Sequence, residues 1–389
     1  YVPNLGRSRL LSNVVHVQSR RVSAMPKKLS RRVGRATKSK IKVVDLFCGI
    51  GGLSHGLKLE GLDVIAGVDN DRSCRDAFEK NNHSRFIGKD IARFSSTELS
   101  ALFGDAPVRV LVGCAPCQPY SSLTRRKLTP KKTRERWYPM YRFMRLVSAI
   151  QPEIVSMENV PDLSNSKKYA VFDAFVKRLL DLNYHVSFKT VDASKYGVPQ
   201  KRHRLVLLAS KLGDISLVKA THTDETAVTV RDTIKSLPRL RDGETNRNDP
   251  LHRSSKLSPL NKKRIAATPK DGGSATSWNL NLQPKCYRRK SGKSYMVTVY
   301  GRMRWDDPAP TMTTHCTTLG TGRFGHPTQD RAISLREAAR FQTFPDTYMF
   351  GDPDAIGITK TARHIGNAVP VMLGRAIGKS IKQHVRRYL

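Results

Sequence analysis

Hydrophobic and polar positions from Ile41 onward fall into two alternating patterns. The run IKVVDLF is short, β-branched and nearly continuous in apolar character, as expected of a strand buried on both faces. A glycine turn, GIGG, follows, and LSHGLKLEG reads as a helix ending at Gly61. LDVIAGVD predicts a second strand, RSCRDAFEKN a helix, SRFIGKDI a short third strand and VRVLVG a fourth. RFMRLVSAI is helical, EIVSMENV a fifth strand and YAVFDAFVKRLLDL an amphipathic helix, before YHVSFKTV and RLVLLAS close the series. Strands separated by helical segments imply βαβ units, and hence an α/β fold with a mostly parallel sheet.

The regularity stops after Ser210. Residues 211–330 are rich in Pro, Gly, Ser, Asn and charge, with only short strand-like pieces such as SYMVTVYG, and read as a smaller second domain inserted into the first. The first domain, residues 41–210, resumes over residues 331–389 with SLREAARFQTF and a C-terminal helix. In that helix Val369, Met372, Leu373, Ala376 and Ile377 share one face, and Gly374 and Gly378 lie one turn apart, which permits close packing. Residues 1–40 hold eleven Lys and Arg and no acid. They read as a flexible basic arm, and the part before Met25 is left out of the fold.

Charge changes the picture next. Lys and Arg number 69 against 32 acids, a formal net charge of +37, which calls for a polyanionic partner. No run of apolar residues is long enough to cross a bilayer. Six cysteines in 389 residues do not form a disulfide framework, which points to a reducing compartment.

The candidate chemistry lies where strands end. DLFCGIGG joins a strand to a helix, where glycines let the backbone approach a ligand, and Asp69 ends the next strand with a carboxylate able to accept both hydroxyls of a ribose. Asp90, closing the third strand, adds an acid within reach of an adenine amino group. These features are compatible with NAD, FAD or S-adenosylmethionine, since the dinucleotide fingerprint is broken at Ser54. The fourth strand leads into GCAPCQPYS. No second closely spaced pair completes a zinc site, and the pair does not open a small redox domain, which leaves a nucleophile. Ser122 to Arg136 carries seven Lys and Arg and one Glu, and reads as a mobile basic loop that would favour a thiolate and close over a polyanion. Glu158, in ENV at the end of the fifth strand, would face the same crevice. A carboxyl beside a thiol suits addition to a nitrogen heterocycle.

DLFCGIGG, PCQPYS, ENV, QKRHR, and RAISLREAARFQTFPD with IGNAVP, in this order from Ile41 to Leu389, resemble the motifs of the DNA cytosine-5 methyltransferase family. The resemblance implies a Rossmann-like, S-adenosylmethionine-dependent methyltransferase sheet with a separate target-recognition domain over residues 211–330. It makes Cys117 the nucleophile that attacks cytosine C6, and leaves Cys114 as a small apolar filler. Glu158 would hold the N3 edge of the base. Arg202 and Arg204 resemble the paired arginines of the pocket, Arg204 being the better candidate for the base and the other a brace for its strand. Phe47, Gly49, Gly51, Asp69, Asp90, Ile91, Pro116 and Asn367 would contact S-adenosylmethionine, although Asn70 stands where an aromatic residue is usual. No metal is implied. Because C5 and C6 are buried in a duplex, the cytosine would be flipped out of double-stranded DNA. The compact recognition segment resembles bacterial or phage modification enzymes of restriction–modification systems, so a monomer in the bacterial cytoplasm, associated with the nucleoid, is expected. An RNA-modifying branch of the same family is the alternative, but its Cys-Phe-Thr tripeptide is absent between Lys211 and Asp330.

Overall fold

The computed structural model describes residues 15–17, 41–116, 130–165, 169–284 and 299–388. Its strands, in chain order, are β1 (Val15–Val17), β2 (Ile41–Leu46), β3 (Asp63–Asp69), β4 (Arg85–Gly88), β5 (Val108–Gly113), β6 (Ile154–Asn159), β7 (His185–Asp192), β8 (Gln200–Lys201), β9 (His203–Ser210) and β10 (Ala309–Pro310). The helices are α1 (Gly52–Leu59), α2 (Arg75–Asn82), α3 (Ser96–Phe103), α4 (Pro130–Ile150), α5 (Ala170–Asp181), α6 (Val230–Ile234), α7 (Pro259–Ala266), α8 (Leu335–Phe341), α9 (Pro353–Ile356), α10 (Ile358–Asn367) and α11 (Val371–Tyr388). Eight strands form one sheet in the order β1-β7-β9-β6-β5-β2-β3-β4. Strands β2 to β6 pair in parallel, and β9 runs antiparallel between β6 and β7. β8 and β10 pair separately.

Two apolar layers cover the sheet, and β2 shows why its sequence is almost unbroken in apolar character. Val44 and Leu46 face a layer with Leu111, Phe143 and Phe175, whereas Val43 faces Leu53, Leu57 and Leu373 on the other side. The C-terminal helix supplies part of that second layer: Leu373, Ala376 and Ile377 are buried and Met372 half-buried. Close packing at its glycines is real. A Cβ on Gly56 of α1 would lie 2.5 Å from Val371 O, and one on Gly374 would lie 3.0 Å from Leu53 O.

Three expectations change. Residues 15–17 were left outside the fold, yet β1 extends the sheet by pairing antiparallel with β7. The basic loop expected to reach Arg136 is already helical from Pro130, where α4 begins. Helix α3 was not foreseen, because only Leu99 and Phe103 of its eight residues are buried. A capping box starts it: Ser95 Oγ accepts from Glu98 N at 3.1 Å and Glu98 Oε2 accepts from Ser95 N at 2.9 Å.

Beyond β9 the chain first stays on the sheet. Ile215 and Leu217 join the α11 layer, Val218 N donates to Ser380 Oγ at 2.9 Å, and His222 N donates to Lys195 O at 3.0 Å. Further on, order depends on a fully buried arginine more than on regular elements. Arg302 donates to the carbonyls of Ile265, Thr268, His326 and Gln329 and pairs with Asp330. Beside it Trp278 is buried edge-on to Tyr300, with Nε1 donating to Thr268 Oγ1 at 2.9 Å, so these aromatics serve the local core. Among the described residues no helix is long and apolar enough to cross a membrane.

Candidate active site

The sheet adds β3 and β4 on one side of β2, and β5 and β6 on the other, so the carboxyl ends of β2 and β5 flank a crevice at a switch in strand order. The glycine loop after β2 borders it. Phe47 adopts a left-handed backbone (φ 60°) and its N–H donates to Val68 O at 2.7 Å, turning the chain sharply. Gly49 is also left-handed (φ 51°), and a Cβ there would meet nothing within 4 Å. Its face is therefore open. Gly51, by contrast, is crowded: a Cβ would fall 2.3 Å from Asn82 Nδ2. Asp69 ties the loop down, its Oδ2 accepting from Gly49 N and its Oδ1 from Asp71 N, each at 2.9 Å. Burial raises the Asp69 pKa despite these donors. Asp45, below the loop on β2, accepts from Ser54 Oγ at 2.6 Å, and burial pushes its pKa up to about 7.

The other predicted cofactor contacts fall around this rim. Asp90 is exposed in the turn after β4, where its Oδ1 accepts from Ala92 N at 2.7 Å, while Ile91 beside it is buried. Pro116 is exposed after β5, and Asn367 is exposed at the end of α10. His364 on α10 fastens that helix to the loop after β3, with Nε2 3.1 Å from Asp71 Oδ2.

Strand register places Glu158 beside the chain that leaves β5. β5 and β6 are neighbours, with Gly113 opposite Met157, so the chain leaving β5 passes beside Glu158 and Asn159. Glu158 is 2% exposed. Arg204 Nε lies 2.9 Å from Glu158 Oε1, an ion pair without hydrogen-bond alignment, so that oxygen has no hydrogen-bond partner. The Cys114 thiol donates to Glu158 Oε2 at 2.8 Å, so Cys114 is more than the apolar filler that was expected. Asn159 Nδ2 donates to Ala115 O at 3.0 Å and its Oδ1 accepts from Val160 N at 2.9 Å, holding the strand end that leads to Pro116. Cys117 itself, and the basic segment up to residue 129, lie outside the described residues.

Arg202 and Arg204 separate in role. Arg202 is 3% exposed and donates to the carbonyls of Met312 (2.8 Å), Gly366 (3.3 Å) and Ala368 (3.5 Å). It is the brace. Arg204 faces the carboxylate. Two buried glutamines, assigned no role from the sequence, continue the bracing. Gln200 Nε2 donates to Phe341 O at 2.6 Å and its Oε1 accepts from Met312 N at 3.0 Å, and Gln342 Nε2 donates to Ile365 O at 2.6 Å. Their placement inside QKRHR and RFQTF was the available signal.

The chain has clear relatives. Residues 41–383 match the C-5 cytosine-specific DNA methylase family. The chain belongs to that family. It is a DNA cytosine-5 methyltransferase. It is 48% identical to the type II methylase M.HgiDII of Herpetosiphon aurantiacus over 88% of this chain and 95% of that protein. Identity to the Escherichia coli type II methyltransferase M.Eco47II is 30%, over 87% of this chain and 78% of the relative. The fold also matches the crystal structure of a prophage-encoded E. coli DNA modification methyltransferase, with TM-score 0.67 and 22% identity over 89% of this chain and 99% of the other. In this methylase, then, the opened glycine loop and the Glu158–Arg204 pair lie at the strand ends where an α/β enzyme of this kind binds its ligands.

Proposed function

We propose that the chain transfers a methyl group from S-adenosylmethionine to C5 of a flipped-out cytosine in a specific double-stranded DNA sequence, through a covalent bond between Cys117 and C6. The observation that supports this most is the buried Glu158 carboxylate at the end of β6, paired with Arg204 and one strand away from the segment running into Pro116 and Cys117. The Cys117 sulfur adds to C6, and the π electrons move toward C5 and N3 as the thiolate charge passes into the ring. Glu158, carrying a proton or sharing one with N3, stabilises that ring charge, and Arg204 orients Glu158 and the base. The seven Lys and Arg between Ser122 and Arg136 favour the thiolate and hold DNA phosphates. Loss of the C5 proton and cleavage of the sulfur–C6 bond return the thiolate.

S-adenosylmethionine, when bound, supplies the electrophilic methyl group. Phe47, Gly49, Gly51, Asp69, Asp90, Ile91, Pro116 and Asn367 would hold it, and they fit: the face over Gly49 is open, each Asp69 oxygen takes one backbone N–H and keeps further acceptor capacity, and Asp90 and Asn367 are exposed. Residues 211–330 act as the target-recognition domain and residues 41–210 with 331–389 as the catalytic one, while residues 1–40, apart from the strand at 15–17, serve as a basic arm. The protein works as a monomer on the DNA of a bacterial cytoplasm, in the modification half of a restriction–modification system, a reading supported by its likeness to a type II methylase.

DNA carrying fluorine at cytosine C5 tests the covalent step, because fluorine cannot leave as a proton. The wild-type protein with S-adenosylmethionine should form a denaturation-resistant complex with such DNA, and Cys117→Ala should form none and incorporate no labelled methyl group. Methyl transfer by Cys117→Ala would overturn the mechanism.

A further inference from the structure

Cys114 has a place in this site that its motif does not account for. It follows Gly113, the last residue of β5, and its N–H donates to Leu46 O at 3.3 Å, extending the pairing with β2 by one step. On the other side, the carbonyl of the next residue, Ala115, accepts from Asn159 Nδ2 at 3.0 Å. The backbone on both sides of the sulfur is therefore held by neighbouring strands. From this position Cys114 Sγ reaches Glu158 Oε2 at 2.8 Å, while Arg204 flanks Oε1 at 2.9 Å.

A carboxylate has two rotations near its end, and a single ion pair on one oxygen leaves the other rotation loose. A second contact on the opposite oxygen fixes the plane of the group. We propose that Cys114 is a positioning residue: its S–H holds Glu158 Oε2, so that the carboxyl plane and the oxygen beside Arg204 keep one orientation toward the reacting base. The inference rests on Glu158 acting at the cytosine ring. The thiol forms no bond to substrate and takes no part in electron transfer. Serine would preserve the donor with a slightly smaller atom, and alanine would remove it together with the sulfur's contact on the apolar layer at this half-buried site.

Single-turnover methyl transfer on duplex DNA, with equilibrium binding of DNA and of S-adenosylmethionine and thermal melts measured in parallel, separates positioning from packing. Cys114→Ala should slow the chemical step by about 10- to 100-fold, the scale on which misplacing a catalytic group is felt, with both affinities and the melting temperature close to wild type. Cys114→Ser should recover most of the rate. The double variant Cys114→Ala/Glu158→Gln should be no slower than Glu158→Gln alone, since a positioning residue has nothing left to position. A Cys114→Ala rate within twofold of wild type overturns the proposal, as does a Cys114→Ser protein as slow as alanine. If Glu158→Gln itself runs at the wild-type rate, the reading of Glu158 has failed. If Glu158→Gln is slow and Cys114→Ala is not, only the role of the thiol has failed.

Discussion

Asp45 and Glu158 are both carboxyls buried at the ends of parallel strands, yet their partners differ in kind. Glu158 has a guanidinium beside it, whereas Asp45 has the neutral donors of Ser54, hydroxyl and backbone N–H, and lies near the like charge of Asp69. Burial therefore dominates at Asp45 and lifts its pKa to about 7, so the folded protein keeps a proton that the unfolded chain releases near pH 4. The contribution of that proton to stability is complete below the unfolded pKa and is lost as pH rises through 7. Asp45→Asn removes the titration. Its stability relative to wild type should therefore rise between pH 4 and pH 8, by up to about 4 kcal/mol at about 1.4 kcal/mol per pKa unit. Urea melts of both proteins across that range would check it, and a pH-independent difference would mean that Asp45 is ionised throughout. The same scale shows what a sequence conceals. Arg202 and Arg204 are chemically alike and two positions apart in QKRHR, and only the carbonyls of Met312, Gly366 and Ala368 reveal which one is the brace. Cys114 and Asn159 matter through the register of β5 against β6, which no local pattern encodes.

Helices α1 and α11 meet where neither has side chains to keep them apart. A Cβ on Gly56 would fall 2.5 Å from Val371 O and 2.6 Å from Arg375 N, both backbone atoms that cannot step aside. A Cβ on Gly378 would meet the Glu60 side chain and Leu57 Cα at 3.3 Å, a contact eased by a small shift. Alanine gains about 1 kcal/mol over glycine in a helix interior, so the two substitutions should part in effect. Gly56→Ala should lower stability by about 1–3 kcal/mol net, as overpacking does, and weaken S-adenosylmethionine binding because α1 carries the glycine loop at its start. Gly378→Ala should cost distinctly less. Denaturant melts of both variants decide it, and equal losses would mean that the crossing can relax. Gly374 and Gly378 were legible as a packing stripe because they recur with one buried face. The parallel strands were legible for a similar reason, as apolar runs between helical periods. The reversed direction of β9 was not, since a strand buried on both faces reads the same either way. Nor was α3, whose eight residues bury too few side chains to show a period, and the basic composition after Pro130 concealed the first turns of α4.

At the level of the whole molecule, charged partners change at residues 330 and 331. Asp330 pairs with Lys270 and Arg302, both within the inserted region, whereas Arg331 pairs with Glu337 of α8 at 2.7 Å in a buried ion pair. Upstream, the chain after β9 keeps contacts with the sheet. Residues 215–218 pack on α11 and His222 N donates to Lys195 O, so this stretch stays with the sheet and a domain exchange is best begun after His222. We place target recognition in residues 223–330, whose local core is organised by Arg302 and whose Ala309 and Met312 reach back to Gln200 and Arg202. Arg241 to Trp305 alone holds fifteen Lys and Arg against four acids. In the proposed recognition role, these charges would hold phosphates while a few side chains on the loops would read base edges. Exchanging about residues 223–330 for the matching segment of a methylase with another target should therefore change which cytosines are modified while leaving the chemistry of Cys117 in place. The graft must preserve contacts that cross the boundary. Met312 O accepts from Arg202 at 2.8 Å and Met312 N donates to Gln200 Oε1 at 3.0 Å, Ala309 pairs with Gln200, Asp249 receives Arg336 at 2.6 Å, His252 meets Ser334 at 2.9 Å, and Val230, Ile234, Met303 and Phe324 share an apolar cluster with Ile333, Leu335 and Phe341. Sequencing chemically converted DNA from cells that express the chimera would reveal its sites. New sites at an undiminished rate are the expected result. A soluble, active chimera that still modifies the original sites would place recognition in the segment after Cys117 instead.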